Sequence, residues 1–174
     1  MWIRLHYLDA SAAVKLLVKE EGSEKLQQYM MDSNNSSNLF MTSYCVAETL
    51  GVLKRKFLTE WIKELGHQNA QQKYLDACAV FIGQLAGKMI EVHDIPITDV
   101  DTYSKVDKLA KRYCLDVIDA FQLATLKEGL VAPLRGTPSE CVLVTADEGL
   151  AKAAREEGLK VWDCVRENPP QEPH

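Results

Sequence analysis

The chain has 174 residues, 47% hydrophobic and 26% charged, which fits one globular domain with a core of its own. A formal net charge of −5 excludes a general attraction to nucleic acid or to an anionic membrane. A polyanionic substrate would need a local basic patch or metal ions at an acidic site, and no uninterrupted apolar run is long enough to span a bilayer.

The run from Trp2 to Leu8 reads as a buried strand that ends in Asp9. Ser11 stands as the predicted cap of a first helix, which Gly22 interrupts and Ser23 restarts through about Met31. Asp32 to Asn38 is a polar loop, and Leu39 to Thr42 a short strand. Ser43 is the predicted cap of a helix from Tyr44 to about Thr59. Trp61 to Gly87 reads as helix, broken near Gly66-His67. It carries a stripe of Tyr74, Leu75, Cys78, Phe81, Ile82 and Leu85, which suits either core packing or a partner face. Met89 to Ile95 reads as strand. Asp99 to Arg112 reads as a helix with Val100, Tyr103, Val106, Leu109 and Ala110 inward. A further helix spans Asp116 to Lys127, and a Pro/Gly loop spans Ala132 to Glu140. Cys141 to Val144 is a strand stopping at Thr145-Ala146-Asp147, followed by a helix over Glu148 to Glu157 and a last strand over Leu159 to Trp162.

Strands alternating with helices predict an α/β fold, a mostly parallel sheet of four to five strands covered on both faces. Residues 1–165 form the expected domain, and residues 166–174, rich in proline, an expected disordered tail. Cys45, Cys78, Cys114, Cys141 and Cys164 are odd in number, form no Cys-x-x-Cys pair and sit among apolar residues. They read as reduced core residues of a cytoplasmic protein. The N-terminal apolar stretch is too short for a signal peptide and contains Arg4, His6 and Asp9.

Asp9 and Asp147 each end a strand, so a parallel sheet sends both to one edge, where open α/β sheets bind ligands. Asp147 read alone could simply cap a helix. Glu48 has Tyr44, Cys45, Gly51 and Val52 as helical neighbours, none of them charged. A carboxylate in such surroundings needs a cation or hydrogen bonds. Asp116 and Asp119 are three apart, so both could serve capping, or Asp116 could cap while Asp119 faces the site. Carboxylates packed together repel unless cations lie between them, and all-oxygen donors favour Mg²⁺ or Mn²⁺. Two such ions can support phosphodiester cleavage. A strand-end Asp phosphatase of the haloacid dehalogenase type would want a second Asp where Ser11 stands. A receiver domain would want an acidic pair where Ala10 follows Asp9.

Leu8-Asp9-Ala10-Ser11-Ala12 with Lys15 resembles the opening motif of a PIN domain. Ser43 to Lys54 with Glu48 resembles its second acidic motif, Ile118-Asp119-Ala120-Phe121-Gln122-Leu123-Ala124 its third, and Val144-Thr145-Ala146-Asp147 its fourth. The order and spacing match over about residues 3 to 163, and the length resembles the VapC-type toxin ribonucleases. The resemblance implies a three-layer α/β/α sandwich and a Mg²⁺- or Mn²⁺-dependent endoribonuclease. It implies metal-site roles for Asp9, Glu48, Asp119 and Asp147, with Ser11 and Thr145 as supporting polar residues. Asp116, an extra acid, and the length of the Ala132–Glu140 loop depart from the pattern. Lys15, Lys54 and Arg55 are the candidate contacts to RNA, with Lys56 and Arg112 as further basic groups. A small antitoxin or a second copy is the expected partner, through the apolar stripe and Trp61. A PIN-like binding module without catalysis is the alternative.

Overall fold

The structure is a computed structural model that describes residues 4–31, 38–134 and 139–171. The expected strand residues Trp2 and Ile3, the loop residues 32–37 and 135–138, and residues 172–174 of the expected tail lie outside the described residues. Five strands, β1 (Arg4–Leu8), β2 (Leu39–Met41), β3 (Ile90–Val92), β4 (Glu140–Thr145) and β5 (Lys160–Asp163), form one sheet in the order β3-β2-β1-β4-β5. Every pairing is parallel. The predicted parallel sheet is therefore present, with five strands.

Eight α-helices are described: α1 (Ala10–Leu17), α2 (Ser23–Met31), α3 (Ser43–Lys56), α4 (Ile62–Leu65), α5 (His67–Ala86), α6 (Val100–Tyr113), α7 (Val117–Glu128) and α8 (Glu148–Glu156). They cover the sheet on both sides, because the inner strands β2, β1 and β4 are apolar on both sides. Tyr7, Phe40 and Leu143 enter a core with Leu109 of α6, Phe121 of α7 and Leu150 of α8. Their strand neighbours Leu8, Met41 and Val144 point the other way, onto Ala13 of α1, Leu26 of α2 and Phe81 of α5. Among the described residues no helix is long and apolar enough to cross a membrane.

Local chemistry moves several expected boundaries. The cap of α1 is Asp9, not Ser11, since its carboxylate accepts from the backbone N–H groups of both Ala10 and Ser11. Thr42, not Ser43, caps α3 through a bond from Cys45 N. α3 stops at Lys56 and widens into a π-helical turn, Phe57–Trp61. Gly66, at φ +74, then separates α4 from α5, as the sequence suggested.

The apolar stripe of α5 divides. Phe81 is fully buried, and Tyr74 and Cys78 pack on a small core with Trp61, while Leu75 and Ile82 stay exposed. Phe81 and Trp61 are thus core residues and leave the expected partner face. Val100 and Tyr103 are exposed rather than inward. Of the five free cysteines, Cys114 is exposed at the left-handed end of α6, contrary to the expectation of burial for all. The Arg4 guanidinium donates to the carbonyls of Pro170 and Gln171, the part of the expected tail that is described.

Candidate active site

β1 leads to β2 and β3 on one side, and the chain returns to β4 on the other. The reversal of strand order lies between β1 and β4, and their carboxyl ends open a crevice there. Asp9 and Asp147 follow those strands. Asp9 N donates to the carbonyl of Val144 at 3.0 Å, which ties the two strand ends together.

Two hydroxyls lock this junction. Thr145 Oγ1 donates to Asp9 Oδ2 at 2.9 Å and accepts from Asp147 N at 2.9 Å. Ser11 Oγ donates to the same Asp9 oxygen and accepts from Ala146 N at 2.8 Å. Ala10 N donates to Asp9 Oδ1 at 2.6 Å. Asp9 is therefore held by four protein donors, all of them neutral.

The crevice widens into a cleft of about 370 Å³. Asp9, Glu48, Asp116, Asp119 and Asp147 all line it, so all four acids of the sequence set and the extra Asp116 share one space. Glu48 comes from the second turn of α3. Asp116 caps α7, accepting from Asp119 N at 2.9 Å, and Asp119 lies in the first turn of that helix. Asp147 caps α8 through Leu150 N at 2.7 Å. Helix N-termini carry partial positive charge, which favours these carboxylates but falls short of neutralising five of them.

The shortfall appears in the proton affinities. Burial, then the Asp9, Asp116, Asp147 and Glu48 charges, push Asp119 up to about 8. Burial with Asp9 and Asp116 pushes Glu48 up to about 6, against the pull of Arg55. Burial raises Asp9 too, despite its four donors. One ligand atom each of Asp9, Cys45 and Glu48 lie within 4.8 Å of one another. Burial and the Asp9 charge keep the Cys45 thiol protonated, so this pocket offers oxygen donors rather than a thiolate. A donor set of carboxylate oxygens short of positive charge fits a hard divalent cation.

The basic residues separate. Arg55 lines the cleft. Lys15 is buried, with its ammonium 2.7 Å from Glu20 Oε1 and 2.8 Å from the carbonyl of Glu21, which takes it out of the set facing the cleft. The Lys54 ammonium sits over the rings of Phe57 and Tyr74, 5.0 and 5.3 Å from their centroids, and also lies outside the cleft lining. Arg112 pairs with Glu157 instead. Lys56, one of the further basic groups, lines the cleft and bridges Glu20 and Glu60, two cleft acids that were not among the candidate site residues. The spacing of Lys56 and Glu60 was a readable helical pair; nothing local to Glu20 pointed to the cleft.

The family model of the PIN domain matches residues 6–156. The crystal structure of PAE2754 from Pyrobaculum aerophilum is similar in fold, with a TM-score of 0.55, 17% identity and 92% of each chain covered. A comparison with curated protein sequences found no match.

Proposed function

We propose, from the premise that this chain belongs to the PIN domain family, that it is a divalent-metal-dependent endoribonuclease. PIN domains are generally nucleases, which gives the coarse assignment. The observation that carries the finer one is the convergence of Asp9, Glu48, Asp119 and Asp147 on a cleft with too little positive charge.

In this reading those four carboxylates hold Mg²⁺ or Mn²⁺. A divalent ion there supplies an activated water at neutral pH and charge stabilisation for the leaving oxygen. Ser11 and Thr145 keep Asp9 in one orientation, and Asp116 fixes the first turn of α7 and so the aim of Asp119. Arg55, at the wall, offers a guanidinium to a substrate phosphate.

The test is incubation of the pure protein with a mixed RNA pool, with Mg²⁺ or Mn²⁺ and then with EDTA. Cleavage should require the metal. Equal cleavage in both, or none with any metal, overturns the reading and favours a non-catalytic binding module. The toxin role expected from the sequence belongs to this proposal, with a small antitoxin or a second copy as partner. A short open reading frame beside the gene, whose product silences cleavage when co-expressed, supports it. An isolated gene with a dilution-independent monomer counts against it.

A further inference from the structure

The face of α3 that carries Glu48 and Arg55 also carries an aromatic group the proposed cleavage does not use, Tyr44. Tyr44, Glu48, Gly51 and Arg55 stand at i, i+4, i+7 and i+11, one stripe of the helix. At 1.5 Å per residue the stripe is about 16 Å long, with Glu48 within it. It is open over its second half: Gly51 and Arg55 are exposed, and nothing lies within 4 Å of where a Cβ on Gly51 would stand.

The two ends of the stripe differ in chemistry. Arg55 lines the cleft and has no ion-pair partner among the described residues, unlike its neighbour Lys56. At the other end Tyr44 is half-buried, its ring edge-to-face with Phe121 at 4.7 Å between centroids. Its hydroxyl lies 3.4 Å from that of Tyr103 on α6, and Tyr103 is 45% exposed. The pair forms an aromatic shelf between α3 and α6, one helical turn from Glu48.

A cation at one end, one exposed and one half-buried ring at the other and a carboxylate between match a few nucleotides of single-stranded polynucleotide. The guanidinium meets a phosphate and the rings meet a base. A duplex lacks the matching chemistry, because its bases are stacked on one another and offer no free face. We propose that Tyr44 and Tyr103 form a base-stacking subsite, with Arg55 as a phosphate contact, of a single-stranded RNA track laid along α3 across Glu48. The track rests on the ribonuclease reading and adds a place where one base is held by its ring face, whatever its identity.

The test is binding, not cleavage. The whole protein is titrated against an end-labelled single-stranded RNA of ten nucleotides in EDTA, and against the same sequence as a duplex, by fluorescence anisotropy at several salt concentrations. The single strand should bind at least tenfold tighter than the duplex. Tyr103→Ala should weaken binding about tenfold and leave the slope of log K against log salt unchanged, since stacking releases no counterions. Tyr103→Phe should stay within twofold. Arg55→Ala should weaken binding and make that slope shallower by about 0.7, one phosphate contact on a single strand. Should Tyr103→Ala fail to fold, Tyr103→Leu, which keeps apolar volume without a ring, reads the same quantity. Equal affinity for duplex, no RNA binding, or Tyr103→Ala within twofold of wild type overturns the track. Any of these with metal-dependent cleavage intact removes the track and leaves the nuclease standing; loss of cleavage with the stacking signature intact does the reverse.

Discussion

The carboxyl ends of β1 and β5 each present an aspartate, and the fold treats the two oppositely. Asp9 and Asp163 are both 3% exposed. Asp163 receives the Arg166 guanidinium at 2.8 Å and the backbone N–H groups of Val165 and Arg166, each at 3.1 Å. Burial works against the charge there, yet Arg166 and those N–H groups hold the carboxyl below its usual range. Asp9 receives four donors to Asp163's three, but every one is neutral, and burial raises its proton affinity in spite of them. A structural acid is folded together with its cation. An acid oriented by neutral donors alone, among other acids, leaves its charge to be met by something that binds.

The largest test of that contrast exchanges the two behaviours. Asp9→Asn is expected to remove cleavage by more than the ~10–100-fold that loss of a group beside a metal ligand costs. Its melting temperature in EDTA should hold or rise, because a repelling charge leaves the cleft. A large drop in melting temperature would make Asp9 a structural acid like Asp163. Asp163→Ala should do the opposite. It strands the guanidinium and two backbone N–H groups, and half of Arg166 is exposed, so about 2 kcal/mol of stability is expected to go. That corresponds to a melting temperature lower by about 4–8 °C for a chain of this size. Cleavage per folded molecule should persist; its loss would move Asp163 into the site.

The contrast was half legible in the sequence. Asp9 and Asp147 could be read because a strand that stops at an acid before a helix has few other geometries in a parallel sheet. Asp119 could be read from its spacing to Asp116 and from the motif around it. Asp163 ends its strand in the same way and reads as no more than a polar residue near the C-terminus, because its meaning depends on Arg166 folding back onto it. The basic residues were least legible. Lys15, Lys54 and Arg55 look alike as letters, yet one is clamped by Glu20, one lies on aromatic rings and one faces the cleft. Which of them a substrate can reach is set by packing between helices, a property of tertiary contacts rather than of local pattern.

Acidity offers a subtler separation, in the metal-free protein. Asp119 at about 8 and Glu48 at about 6 lie above their unfolded values, so the folded state keeps protons that the unfolded state releases. Their stabilising effect is full below pH about 4 and is lost as pH rises toward 8. His6 runs the other way: burial lowers it from 6.5 to about 4, so its contribution is present above pH 6.5 and lost as pH falls toward 4. Melting temperature in EDTA should therefore decline by a few degrees on the alkaline side between pH 5 and 8. Mn²⁺ at pH 8, or Asp119→Asn, should flatten that limb. A limb equally steep in Asp119→Asn would mean that the crowding is not centred on Asp119.

The smallest expected effect belongs to Asp116, and it separates capping from chemistry within one helical turn. Asp116 accepts from Asp119 N and is exposed, so it does for α7 what Asp163 does for the end of β5: it satisfies local donors. Among the described residues no backbone N–H donates to the Asp119 carboxylate, which instead meets the other acids of the cleft. Asp116→Ala should lose about 1 kcal/mol, the usual worth of an N-cap, which is a melting temperature lower by about 2–4 °C. It should keep most of its cleavage, with only the small loss that a loosened first turn passes to Asp119. Asp116→Asn, still a good cap, should recover the stability. Asp119→Ala should invert the pattern, with activity gone and stability in EDTA held or raised. If Asp116→Asn is as inactive as Asp119→Ala while melting like wild type, the charge of Asp116 itself is at work. The extra acid would then belong with Asp9 rather than with the caps.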